Sequence, residues 1–209
     1  MARVVSNERD NKIPVGSDAV VTRITPSNAQ LVAQAHGRFY ELSRQGNLFY
    51  AANQAATATS ISVATTHTGL ELYNPVGNNK DIVLEAVGFA ANLAYVALSN
   101  VGLQGHWVAT GAITAWTTPC VLGTNMGPLN VGCGNAPTAW AGFAATIVAP
   151  KIYSLLGAGA IATAIGTMGG IQFVDIGGAI RLQPGAYVAT YILTALSACF
   201  SFWWSEEPR

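Results

Sequence analysis

Along most of this chain apolar residues recur at every second position in short runs, and Gly, Pro and Asn break the runs apart. "NLFYAAN", "TSISVATT" and "GLELYN" open the series, each rich in β-branched or aromatic residues, the composition of half-buried strands. In "GLELYNPVGNNKDIVLEAVGFA", Leu70 and Leu72 and then Ile82 and Leu84 alternate on either side of Asn74-Pro75-Val76-Gly77-Asn78-Asn79. That spacing predicts two strands joined as a hairpin by a turn-rich loop. Glu71 and Glu85 fall on the opposite phase, toward water or a neighbour.

Nearer the C-terminus a strand runs into Gln183-Pro184-Gly185, where proline fixes φ and glycine accepts a positive one. The strand that leaves carries Tyr187, Ala189 and Tyr191 on one face. In "ACFSFWW" both phases are apolar, with Cys199, Ser201 and Trp203 against Phe200, Phe202 and Trp204, as in a strand covered on both sides. Strand-like runs at a spacing of roughly ten residues, with turn signals between them, predict an all-β fold, a jelly-roll-like β-sandwich.

Residues 1–45 have a different texture. They hold ten charged residues, Pro14 and Pro26, and no sustained alternation. "TPSNAQLVAQAHGRFYELSRQ" predicts at most a short helix, capped by Ser27 or Asn28 and ending near Gly37. The domain organisation expected is therefore an extended N-terminal arm over 1–45 and a β-sandwich over 46–209. The arm has too little apolar surface to fold alone. Val4, Val5, Ile13, Val15, Val20 and Val21 suit addition to a neighbour's strand edge, with Arg3, Arg9, Lys12 and Arg23 setting register against acidic patches.

An uncharged run of 23 residues, "IYSLLGAGAIATAIGTMGGIQFV" at 152–174, has the length of a membrane span, about 20 residues. Its composition argues otherwise. A span is dominated by Leu, Ile, Val and Phe, whereas this run has glycine at 157, 159, 166, 169 and 170. Gly157-Ala-Gly159-Ala-Ile-Ala162 also matches a dinucleotide-binding loop, which requires a repeated strand–helix frame around it. No such alternation surrounds it, and the run reads as sandwich strands and turns near a subunit interface.

Composition sharpens this picture. Of 209 residues 51% are hydrophobic and only 10% charged, and ten basic residues cancel ten acidic ones. A balanced charge provides no field to attract nucleic acid or an anionic membrane. Fourteen of the twenty charges lie in 1–85, and residues 86–150 contain none. A neutral stretch of this size predicts cover by partner chains, and places a subunit interface within 86–174. The N-terminal sequence lacks the apolar core of a secretory signal and no Asn-x-Ser/Thr acceptor occurs, so synthesis in the cytoplasm is expected. Cys120, Cys133 and Cys199 are odd in number and form no disulfide framework.

Catalytic signals are sparse. His36, His67 and His106 form no metal-ligand motif, and there is no nucleophile elbow around a serine. Cys133 in "VGCGNAP" sits in a glycine-rich loop that His106 or His67 could approach as a base, and the spacing supplies no sign that either does. Glu71 and Glu85, brought near each other by the hairpin register, would suit the acid–base pair of a glycan hydrolase, and an exposed sheet face explains them as well. The tryptophans divide between core-like positions (Trp203, Trp204) and loops (Trp116, Trp140), which favours packing over a sugar platform. No catalytic residue, metal or cofactor is expected.

Four segments carry a resemblance: "RFYELSRQGNLFYAANQA" (38–55), "LELYNPVGNNKDIVLEAVGFA" (70–90), "IRLQPGAYVATYI" (180–192) and "FSFWWSEEP" (200–208). Together they resemble the trimeric jelly-roll cement, or decoration, proteins on the heads of tailed bacteriophages. The resemblance implies a non-enzymatic virion structural protein that forms a homotrimer outside an icosahedral head. Its partners would be the major capsid protein and neighbouring cement trimers, with no nucleic acid or membrane. Two other readings follow from the same residues: a tail or host-receptor-binding protein with ligand pockets in the 105–137 loops, and a sandwich lectin or glycan hydrolase working through Glu71 and Glu85.

Overall fold

Alternation decides which side chains face inward, and long-range backbone pairing decides which strands meet. The computed structural model describes residues 23–24, 30–31, 39–53, 57–59, 65–91, 99–148, 150–159, 172–193 and 196–209. The chain divides into two units, 1–40 and 41–209. In the first unit β1 (Arg23–Ile24) pairs antiparallel with β2 (Gln30–Leu31). Gln30 and Leu31 are thus strand, not part of the helix expected from Ser27 to Gly37. Helix α1 lies later, at Tyr40–Arg44. It ends where Gly46, at φ 70°, lets Gly46 N–H reach Ser43 O and Asn47 N–H reach Leu42 O, a Schellman closure that needs the left-handed glycine. Of the arm residues Arg3, Arg9, Lys12, Ile13, Val15, Val20 and Val21, all lie outside the described residues, and Arg23 opens β1.

The second unit is a jelly roll. Its strands are β3 (Leu48–Ala52), β4 (Thr57–Thr59), β5 (Thr66–Tyr73), β6 (Lys80–Ala91), β7 (Ser99–Trp107), β8 (Ile113–Pro119), β9 (Met126–Pro128), β10 (Trp140–Ile147), β11 (Lys151–Gly159), β12 (Gln172–Leu182), β13 (Ala186–Ile192) and β14 (Leu196–Pro208). Eight of them pair in nested fashion: β3 with β14, β5 with β13, β6 with β12 and β7 with β11, all antiparallel. One sheet runs β11-β7-β13-β5-β10-β8 and the other β12-β6-β14-β3-β9, with β4 also on β14. Nested pairing wrapped into two sheets is the jelly-roll topology. The segment carrying β8, β9 and β10 is an insertion that widens one sheet beyond β5 and the other beyond β3.

This arrangement corrects the expected hairpin. β5 and β6 do not pair; the 74–79 loop carries the chain from one sheet to the other. Between the sheets lies the main core, built from Leu70 and Leu72, Ile82 and Leu84, Val101 and Leu103, Val188 and Ile192, with Phe49, Phe89, Phe200, Phe202 and Trp204. Phe89 and Phe200 meet at 5.2 Å between ring centroids, and Phe49 and Trp204 at 6.0 Å. Burying such rings contributes about 2–3 kcal/mol each. The inward phase of β6 slips from Ile82 and Leu84 to Val87 and Phe89 because Trp203 pairs with Ala86 and Trp204 with Leu84, leaving Glu85 as the extra residue of a bulge. A second cluster, Tyr73, Tyr187, Ala189, Ala145, Ile147 and Ala112, contains the opposite phase of β5 and β13. The insertion therefore covers part of the outer face of its sheet.

Of the uncharged run at 152–174, residues 152–159 fall on β11 and 172–174 on the start of β12, and the middle lies outside the described residues. Gly157 and Gly159 sit within β11, opposite Val101 and Ser99, rather than in a turn or a dinucleotide loop. Among the described residues no helix is long and apolar enough to cross a membrane.

Candidate functional site

Polar side chains converge at two buried places, and their geometries differ. The first is at one end of the sandwich, where the 74–79 loop, the 183–185 turn, the 129–139 loop and the last residues of β14 meet. Asn74 Nδ2 donates to Lys80 O at 2.9 Å and Leu182 O at 2.8 Å, while its Oδ1 accepts from Asn78 Nδ2 at 2.7 Å. Glu206, 4% exposed, accepts from Thr138 N at 2.7 Å and Ala139 N at 3.0 Å through Oε1, and from Thr138 Oγ1 at 2.7 Å through Oε2. Lys80 Nζ lies 3.0 Å from the same Oε2. Beside it, the buried Asp81 meets Arg181 Nη2 at 2.5 Å. Three of the four segments that carry the resemblance supply these residues apart from Thr138 and Ala139, and what they build is a clasp joining the two sheets.

The second cluster lies on the other phase of β5. A regular strand rises about 3.4 Å per residue, so residues four apart stand about 13 Å from one another. His67 Nδ1 and Glu71 Oε1 are nevertheless 2.6 Å apart. Against β10, Gly142 pairs with Glu71 and Ala144 with Thr68, so β5 carries one residue too many. Gly69 absorbs it at φ 144°. A Cβ there would stand 2.5 Å from Thr190 Oγ1 and 2.9 Å from His67 Cε1, so the contact depends on glycine. His67 Nε2 lies 2.9 Å from Thr190 O, which also accepts from Gln104 Nε2 at 3.2 Å. His67, Glu71, Gln104 and Thr190 have no solvent exposure, and Glu71 Oε2, Gln104 Oε1 and Thr190 Oγ1 make no hydrogen bond. Burial raises the Glu71 carboxyl above its ordinary range, and the His67 contact only partly offsets it.

Glu71 and Glu85 are not brought together. They belong to different sheets and both are buried, Glu71 against His67 and Glu85 accepting from Ser205 Oγ at 2.9 Å. The exposed acid–base pair of the hydrolase reading is absent from this geometry. Cys133 lies beside Gly46 and Asn135, whereas the ring nitrogens of His67 are engaged by Glu71 on β5 and by Thr190 O on β13. Cys120 is the thiol near the buried cluster, and burial, followed by Glu71, pushes it up to about 12, far from a nucleophilic thiolate. All three cysteines are free. Among the described residues no three His, Cys, Asp or Glu side chains are grouped to hold a metal ion. Glu206 and its donors were missed in the sequence reading, although isolated charges in so charge-poor a chain are a signal of paired burial.

Comparison with protein families, curated proteins and solved structures returned no match.

Proposed function

We propose that this protein is a non-enzymatic structural subunit of a virion, a cement protein that trimerises on the outside of a tailed-phage head and stabilises the shell. One observation carries the reading: eight of the eleven large apolar side chains exposed among the described residues lie within 86–174, the region expected to be covered by partners. Trp107, Val121, Leu122, Val131 and Trp140 are at least half exposed or close to it, and no charge lies between 86 and 150 to keep them in water. Surfaces of this kind are closed by association, and cyclic symmetry closes the same patch on every copy. The resemblance of the strand and corner segments to decoration proteins supplies the setting. Both polar clusters are buried and hold strands together, which suits a subunit that bears load.

Antibody labelling of purified virions tests the assignment. Label across the head facets is expected; label confined to the tail tip would replace this reading with the tail or host-receptor one. In solution, light scattering is expected to give a mass three times that of the 21.7 kDa chain, and a monodisperse monomer at micromolar concentration would end the trimer proposal.

A further inference from the structure

The His67–Glu71 contact has a requirement that follows from its partners. Thr190 O is a carbonyl and only accepts, so His67 Nε2, 2.9 Å away, carries a proton. On the other side of the ring, Nδ1 stands 2.6 Å from a carboxyl oxygen. Two lone pairs at that distance would repel, so the contact exists only with a second proton between them. Placing it on His67 would bury a full carboxylate whose Oε2 has no donor, unlike Glu206, where each oxygen is met. Placing it on Glu71 leaves both groups neutral and keeps both hydrogen bonds, at far lower cost in a dry interior.

We propose that Glu71 and His67 share one proton as a neutral pair, and that this proton is a pH-sensitive latch tying β5 to β13. Among the described residues the other titratable groups beside it are His106, Cys120, Tyr187 and Tyr153. β13 places Ala189 opposite Glu71 and Tyr187 one row along, and β7 places Gln104 opposite Ala189 and His106 opposite Tyr187. β10 contributes Gly142 and Ala145. The Tyr187 phenol is pushed up by burial, then by Glu71 and Tyr153, and the Tyr153 phenol by burial. With Cys120 raised to about 12, all three stay protonated through neutrality.

The direction of the pH effect follows by counting protons. Unfolded, the carboxyl ionises near 4.5 and a free imidazole keeps its proton to about 6.5, so between these values the unfolded chain also holds one proton. Above about 6.5 it releases that proton while the folded pair keeps it. Stability then falls, up to roughly tenfold in the folding constant per pH unit, until the folded pair deprotonates. A raised Glu71 has this sign: its contribution is complete at low pH and lost as pH rises.

The test compares the full chain with Glu71→Gln by denaturant unfolding from pH 5.5 to 9. The glutamine amide donates to Nδ1 as the protonated carboxyl does but has no proton to lose. The ratio of folding constants is expected to shift at least tenfold in the variant's favour between pH 6.5 and 8.5. A ratio constant within twofold overturns the latch. Infrared spectra of the wild-type chain at pH 7.5 give a second reading that does not depend on the variant folding. The carbonyl stretch of a protonated carboxyl is expected, and its absence overturns the neutral pair.

Discussion

Two buried glutamates in one small sandwich are handled in opposite ways. Glu206 at the loop end is surrounded by donors: two backbone amides, a threonine hydroxyl and a lysine ammonium lie within 3.0 Å of its oxygens. Glu71, on β5, has one close partner and one oxygen with none. The first is a fixed charge that organises a corner, drawing the 129–139 loop onto the end of β14. The second is a carboxyl kept close to neutral by burial, and its value lies in what it holds between strands. A buried carboxylate needs nearly its full complement of donors to stay charged. Where the chain supplies them, the group serves as structural glue. Where it does not, the group becomes a site of proton exchange.

Breaking the first arrangement has the largest expected effect. Glu206→Ala leaves Thr138 N and Ala139 N without acceptors in a buried corner and removes the partner of Lys80, and it should cost about 3–5 kcal/mol. For a unit of this size that lowers the melting temperature by roughly 10 °C. Glu206→Gln keeps one acceptor for the amides but turns an NH2 toward Lys80, and about half the loss is expected. Equal melting temperatures for wild type and Glu206→Ala would mean that the clasp does not hold the corner.

Gly69→Ala strikes the second arrangement through the backbone. The position has φ 144°, and the new methyl would meet Thr190 Oγ1 and the His67 ring. A cost of about 2–3 kcal/mol follows from the strain and the displaced side chains. The diagnostic outcome is its coupling to the latch. If His67 and Glu71 are pushed apart, adding Glu71→Gln to Gly69→Ala should no longer change the pH profile, and an unchanged effect of Glu71→Gln in that background would separate glycine from latch.

Much of the fold was legible because alternation reports faces. Leu70, Leu72, Ile82 and Leu84 are inward as their phase predicts. Alternation does not report partners, however. The 74–79 segment reads equally as a hairpin turn or as a corner between sheets, and only the long-range pairing of β5 with β13 and β6 with β14 distinguishes them. Glu71 was read as facing outward, and it does; the outer phase of β5 is nonetheless buried, which no local pattern announces. His67 and Glu71 were invisible as a pair because strand spacing forbids the contact, and the single hint is a glycine inside "THTGLEL". The phase slip at Glu85 was legible in retrospect: Ile82 and Leu84 are even-numbered, Val87 and Phe89 odd. Ser27 and Asn28 are good caps, yet Gln30 and Leu31 pair as strand and the rest of that segment lies outside the described residues, while the segment that forms α1 has its own closing signal in Gly46.

The smallest expected effect lies beside the clasp and measures how much of its electrostatics is redundant. Asp81, 3% exposed, has two arginines: Arg181 Nη2 at 2.5 Å from Oδ2, and Arg209 Nε at 3.3 Å from Oδ1, near enough for attraction though not aligned as a hydrogen bond. Both guanidinium groups are about half exposed, where solvent and salt screen much of their charge. Arg209→Ala should therefore cost about 0.5 kcal/mol or less, since Asp81 keeps its nearer partner. Removing both arginines leaves a buried carboxylate with neither of them, and the double variant should lose about 2 kcal/mol, more than the two single losses added. That excess is the quantity to measure, by denaturant unfolding of the four chains at low and high salt. Strict additivity would show that water already solvates Asp81, so that this corner depends on Glu206 and its donors and not on the arginines.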